Sequence, residues 1–326
     1  MFYLRQADKR GRTQTDWLDS RHTFSFGQYY DPRFMAFSDL RVINDDVVAP
    51  SGGFGTHPHD NMEIVSVVFA GRLEHKDSLG SGSVITPGEV QAMTAGTGIH
   101  HSEFNPSAEE SVHFLQIWIM PDMQGLEPSY RQQKFAPEKM KDRWCLIVSP
   151  DGAEESLKIY QDAKIFQTRL SAGAVLEYSV GEKRAVWIQV VSGSVDVSGN
   201  LLVGGDGLAV YEEERPLVVR GSTKFQTFCC LISAADGSVR DSGRRLTVQI
   251  CGSCRNSAGS MICSVAFESR PTGNSYSLLP PLRIKSATCR RCSGENRQLI
   301  SISCGGVRLS SPAKPFVMPG VLERKR

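Results

Sequence analysis

Two short stretches of the chain carry residues that could do chemistry, His57-Pro58-His59 and His101-Ser102-Glu103. In each, two potential metal ligands stand two positions apart, and on a β-strand that spacing sets both side chains on one face. Two such strands facing each other across a barrel would aim three imidazoles and a carboxylate at one point. Imidazole suits Fe, Cu, Ni and Zn, and an added carboxylate favours ions that accept mixed nitrogen and oxygen ligands. An octahedral ion held by four such groups keeps positions free for a bidentate substrate or dioxygen, whereas a closed tetrahedral shell would be structural.

A lone histidine more often sits at a turn or caps a strand than binds a metal. Two alternating pairs, each preceded by glycine-rich sequence (Ser51-Gly52-Gly53-Phe54-Gly55 and Ala95-Gly96-Thr97-Gly98), point instead to a metal site. Spacing leaves the carboxylate open, because Glu63 closely follows His59 while Glu103 shares a strand face with His101. His100 alternates away from His101 and could join the same site only through a bulge. His75 and His113 have no ligand-spaced partner and read as ordinary structural or surface residues.

The elements that would position these residues are short strands. Leu40 to Val48 reads as one, and the β-branched run Glu63-Ile64-Val65-Ser66-Val67-Val68-Phe69 as another, closed by Ala70-Gly71 into Arg72-Leu73-Glu74-His75. Turns at Gly80-Ser81-Gly82 and Pro87-Gly88 follow, then a strand from His113 to Met120. Pro121 to Arg143 turns polar and reads as a connector with one helical turn. Strand-like runs resume at Trp144–Val148, Ile165–Leu170, Val175–Ser179, Ala185–Val191, Leu208–Tyr211 and Pro216–Val219. Helical periodicity is not sustained in the first of these regions, so an antiparallel sandwich or barrel is expected there, followed by a second unit of similar design.

With 326 residues, 40% hydrophobic and 22% charged, the chain has the composition of a globular protein with room for two cores. The N-terminus lacks an apolar core of signal-peptide length, and no run approaches the roughly 18 apolar residues of a membrane span. A cytoplasmic location without membrane attachment is the expectation. The net charge of +2 hides an asymmetry: from Arg240 onward 15 Lys+Arg face 4 Asp+Glu, leaving 22 against 31 before it. The acidic balance of the first part disfavours nucleic acid as a partner. All seven histidines fall within the first 113 residues, and six of the nine cysteines lie beyond residue 250.

Gly55-Thr56-His57-Pro58-His59-Asp60-Asn61-Met62-Glu63 and Gly96-Thr97-Gly98-Ile99-His100-His101-Ser102-Glu103 resemble the two cupin motifs as the pirin family carries them. Thr23-Phe24-Ser25-Phe26, Tyr29-Tyr30-Asp31-Pro32, Leu40-Arg41-Val42-Ile43-Asn44-Asp45-Asp46 and Gln116-Ile117-Trp118-Ile119 agree with it. The resemblance covers about residues 1–231 and is strongest to the bacterial quercetin 2,3-dioxygenase-like branch. It implies an all-β bicupin, two jelly-roll-like barrels in tandem, with a metal-binding domain over 1–128 and a cupin domain without a metal site over 129–231. It places the metal ligands on His57, His59, His101 and Glu103, with Glu103 also the catalytic base, and leaves Glu63 a neighbouring hydrogen-bonding or structural role.

The implied cofactor is a divalent metal, Fe(II) first, with Mn, Ni, Cu or Zn as other occupants. The implied partners are a flavonol such as quercetin and dioxygen, with the protein acting as a monomer. A second reading within the same family is an iron-dependent redox-sensing protein that modulates a transcription regulator or metabolic enzyme.

Residues 232–326 depart from this pattern as a basic tail rich in Cys, Arg and Ser, expected to be disordered or non-native. Cys251-x-x-Cys254 and Cys289-x-x-Cys292 are separated by 34 residues, against roughly 15–20 in zinc ribbons, so zinc is not expected there.

Overall fold

A computed structural model describes residues 1–222 and 227–235, with four short strands further along the chain. In chain order the elements are β1 (Phe2–Arg5), β2 (Gly11–Gln14), β3 (Leu18–His22), β4 (Leu40–Val48), β5 (Gly53–His59), β6 (Glu63–Ala70), β7 (Leu73–Asp77), β8 (Gly82–Ile85), β9 (Glu89–Thr94), β10 (Ile99–Phe104), β11 (Val112–Ile119) and β12 (Ser129–Lys134). One helical turn, α1 (Pro137–Met140), precedes β13 (Cys145–Ser149), β14 (Leu157–Lys158), β15 (Ala163–Leu170), β16 (Val175–Tyr178), β17 (Arg184–Ser192), β18 (Ser194–Val197), β19 (Asn200–Val203), β20 (Gly207–Val210), β21 (Leu217–Gly221) and β22 (Thr227–Ala235). Among the described residues no helix is long and apolar enough to cross a membrane.

The strands make two barrels of one design, each pairing a seven-stranded sheet with a four-stranded one. In the first, the order β12-β9-β6-β11-β4-β3-β2 faces β5-β10-β7-β8; in the second, β1-β20-β17-β22-β15-β13-β14 faces β16-β21-β18-β19. The fold is thus the all-β tandem of cupin barrels that the sequence implies. The chain's first strand lies in the second barrel's sheet, where Phe2 pairs with Val210 and Arg5 with Gly207. The expected connector holds its helical turn, and it also holds β12, paired along its length with β9.

Strand alternation divides the core. On β6, Val65 and Val67 pack on the outer face of the first large sheet against Ile147, Ile165, Trp187 and Ile232 of the second, so the two large sheets lie back to back. The alternate residues point into the first barrel: Val68 joins Leu73, Ile85 and Phe114 at one level, and Ile64 joins Met93 and Ile99 at another. Between those apolar levels runs a buried polar row in cross-strand register, His22, Asn44, Gln116, Ser66 and Gln91. Among the described residues the second barrel shows no such row facing inward; Val186, Ile188, Val190, Leu208 and Val210 line its interior with aliphatic carbon. Polar groups are costly to bury without partners, so the polar level of the first barrel marks where its chemistry sits.

Beyond residue 235, Cys254–Arg255 pairs with Met261–Ile262, and Ala287–Arg291 with Gln298–Ile302. The tail's expected disorder or non-native origin lies outside the described residues, as do Cys251 and Cys292.

Candidate metal centre

The two ligand pairs do not face each other across the barrel as expected but stand on paired strands of one small sheet, in which three neighbouring strands supply the candidate ligands. β5 and β10 run antiparallel with His57 opposite His101 and His59 opposite Ile99, and β7 flanks β10 on its other side with His75 opposite Glu103. The β5–β10 register shifts between His101 and Glu103, which stands opposite Phe54, so β5 carries one extra residue around Gly55-Thr56. That bulge brings the Gly55 carbonyl under the His57 ring, where it accepts a hydrogen bond from Nδ1 at 2.7 Å. His100, between the two inward residues of β10, is exposed, as alternation requires.

The structure brings His57, His59 and His101 together, their ligand atoms all within 4.8 Å of one another. Ring centroids lie 4.8 Å apart for His57 and His59, 4.5 Å for His57 and His101, and 4.8 Å for His59 and His101. His57 Nε2 stands 3.0 Å from His101 Nε2. His59 and His101 are buried while His57 is half-buried, so the cluster is open on the His57 side.

Glu103 stands in a second, overlapping group with His101 and His75. Ser66 Oγ donates to its Oε1 at 3.3 Å and Gln116 Nε2 to its Oε2 at 2.5 Å. Gln116 Oε1 in turn accepts from Trp118 Nε1 at 3.1 Å, and the Trp118 ring meets His59 edge-on with centroids 4.8 Å apart. The polar row of the large sheet therefore reaches across the barrel to orient the carboxylate. Glu63 takes a structural place: Thr94 Oγ1 donates to its Oε2 at 2.9 Å, and Arg131 donates to the same hydroxyl at 3.0 Å. His113 sits at the far end of its strand, 2.7 Å from Asp45.

The family models matching this chain are Pirin, over residues 4–119, and Quercetinase C-terminal cupin domain, over residues 146–228. The quercetin 2,3-dioxygenase of Escherichia coli K12 is 48% identical over 214 residues, covering 66% of this chain and 91% of that protein. The chain belongs to the pirin family. Among solved structures, the bacterial pirin YhhW of Escherichia coli in complex with nickel(II) matches at TM-score 0.68 and 44% identity, covering 72% of this chain and 99% of that one. A quercetin 2,3-dioxygenase from Acinetobacter baumannii, at 20% identity and TM-score 0.58 over 72% of this chain and 86% of its own, shares the fold.

The residues of this pirin fit a divalent cation. His59 Nε2 is buried without a hydrogen-bond partner, a costly state for a ring nitrogen unless something else satisfies it. The carbonyl beneath His57 can only accept, so its Nδ1 carries the hydrogen and its Nε2 presents a lone pair towards the cluster. Burial pushes the His59 imidazole down to about 3, aided by His57. Burial, then His57, His59 and His75, push His101 down to about 2. Both rings therefore stay neutral near pH 7, the state in which imidazole ligates. Burial pushes the Glu103 carboxyl up, opposed by His57, His75, Gln116 and Ser66.

Sequence reasoning did not single out His75, Asp77, Ser66, Gln116 or Trp118 as parts of the site. Gln116 and Trp118 alternate on one strand as the ligand pairs do, and His75-Lys76-Asp77 has the same two-residue spacing, so the signal was present in both places. His75, read as structural or surface, is wholly buried beside His101.

Proposed function

We propose that the chain is a metal-dependent dioxygenase that opens the heterocyclic ring of flavonols such as quercetin, with His57, His59, His101 and Glu103 as its metal ligands. The observation that carries the reading is the convergence of three imidazoles, one with an orphaned buried nitrogen, in the polar barrel of a chain 48% identical to a protein named quercetin 2,3-dioxygenase. Fe(II) is the proposed ion, in a donor set that Mn, Ni, Cu or Zn could also occupy. A divalent ion bound there supplies Lewis acidity towards the flavonol 3-hydroxyl and a common point for substrate and dioxygen.

The protein's own groups do the rest. In this reading Glu103, its carboxyl raised by burial, takes the hydroxyl proton, and Gln116 and Ser66, each donating to one of its oxygens, orient it. Trp118 backs the His59 ring, and Ile64, Met93 and Ile99 keep that end of the barrel dry. The half-buried His57 lies on the side from which a planar substrate would enter.

The test is turnover of quercetin by iron-loaded protein, followed through loss of the flavonol absorption band. His59→Ala and Glu103→Gln are expected to lower kcat/KM by at least about 100-fold, the scale of a lost acid–base group. Turnover by both variants near the wild-type rate would overturn the assignment.

A further inference from the structure

His75, which neither ligand pair contains, holds a place between a buried acid and a candidate ligand. Its Nε2 lies 2.9 Å from Asp77 Oδ2, and both side chains are fully buried. Its Nδ1 faces His101 Nδ1 at 3.5 Å, the longest link of the set. Its ring is stacked on Tyr130, with centroids 4.4 Å apart and planes 23° from parallel. Asp77 Oδ1 is committed elsewhere, accepting from the backbone N–H groups of Leu79 and Ser81 at 2.9 and 3.0 Å.

These contacts assign the protons. A carboxylate can only accept, so His75 donates from Nε2, and a ring whose one hydrogen sits there offers a lone pair at Nδ1. The nitrogen facing that lone pair, His101 Nδ1, must carry the hydrogen, which leaves His101 Nε2 bare on the side where His57 and His59 converge. From Gly55 through His57, His101 and His75 to Asp77 there are four contacts, and one hydrogen on each of the three rings serves three of them. The contact without one is His57 Nε2 with His101 Nε2, where two lone pairs 3.0 Å apart call for a cation between them.

We infer that Asp77 and His75 are positioning residues that hold His101 in the tautomer whose Nε2 can bind a metal. His57 has its proton placed by a backbone carbonyl, whereas His101 has its proton placed by a two-residue relay from the neighbouring strand. The inference rests on the metal-centre reading of the previous subsection.

Asp77→Asn tests it on the full-length chain. The two backbone donors keep the remaining oxygen, so the new amide turns its N–H towards His75 Nε2. A donor there reverses each role along the relay and puts the hydrogen on His101 Nε2. The turn from Leu79 to Ser81 keeps its caps, so an Asp77 that merely caps that turn would leave metal binding unchanged.

The readout is zinc(II) affinity by competition with a chelator, with the melting temperature of the metal-free protein measured alongside. The relay requires a 10–100-fold loss of affinity, the usual effect of removing such a partner, with melting near that of wild type. Affinity within twofold of wild type overturns it. A second measurement stands apart from any variant: nitrogen-15 NMR of the zinc-loaded wild type should show ring hydrogens on His101 Nδ1 and His75 Nε2. A hydrogen on His75 Nδ1 overturns the relay. Wild-type protein that takes up no zinc would defeat the metal centre itself, a failure distinct from that of the relay.

Discussion

Asp46 lies inside the first barrel with one oxygen unpartnered, its carboxyl pushed up to about 7 chiefly by burial and in smaller part by Asp45 and Glu103. A folded-state value above the unfolded one means that stability is full below about 4, where both states hold the proton, and is lost as pH rises through 7. Asp46→Asn, neutral at every pH, should therefore gain on the wild type at pH 8 by on the order of 2–4 kcal/mol and by little at pH 4, read as the gap between melting temperatures. His59 and His101 work in the opposite direction: with folded values lowered from 6.5 to about 3 and about 2, they cost stability as pH falls from 6.5. In the wild type these slopes oppose each other between about pH 4 and 6.5. In the variant the acid-side loss should stand out as a steeper fall in melting temperature. His57, His59, His101 and Glu103 were legible as candidates because each stands two positions from a second potential ligand. Ser66 was not, since its polarity acquires meaning only when cross-strand register sets it between Gln116 and Gln91 in the polar row of the barrel.

At the scale of the element, the site depends on how closely β5 can approach β10. A Cβ added at Gly53 would lie 2.5 Å from the Glu103 carbonyl oxygen and 2.6 Å from Phe104 Cα, and backbone cannot step aside as a side chain can. Gly55, two residues on and within the bulge, would meet nothing within 4 Å. Gly53→Ala should therefore push β10 outward at the root of His101 and Glu103, costing about 1–3 kcal/mol of stability and weakening zinc uptake. Gly55→Ala should stay close to wild type in both, and equal effects from the two would refute this account. The glycine-rich stretch was legible as a place of close approach, although not which of its glycines is pressed. Strands with an apolar face, such as β4, β6, β11 and β17, were legible from composition, because burial on one or both faces demands β-branched and aromatic residues. β12 was not: Ser-Tyr-Arg-Gln-Gln-Lys offers little apolar area, and it is a strand because β9 presents an open row of backbone donors and acceptors beside it. β1 escaped for a related reason, since its partner β20 stands some two hundred residues away.

Across the molecule, the barrel without ligands supports the one that has them. Trp187, on β17 of the second barrel, is buried against Phe24 and Phe37 from the first half of the chain, with ring centroids 5.0 and 5.5 Å away. Thr23 donates to Gln189 across the same boundary at 3.3 Å, and Arg5 Nε, at the end of the strand lent to the second barrel, donates to the Thr23 carbonyl at 3.2 Å. One apolar cluster thus runs through both large sheets, and neither barrel can open its outer face without exposing the other's. The two should melt as one cooperative unit, and a metal held only by the first should stabilise both, by about 2.7 kcal/mol at a free concentration one hundred times its Kd. Trp187→Ala, far in the chain from any ligand, should cost about 3–5 kcal/mol while leaving a single transition and a zinc affinity close to wild type. Calorimetry of the wild type and the variant, each with and without zinc, decides it. If the barrels were independent, zinc would shift one of two resolved transitions and Trp187→Ala the other. Coupling through the shared core requires one peak that moves up with zinc and down with the substitution.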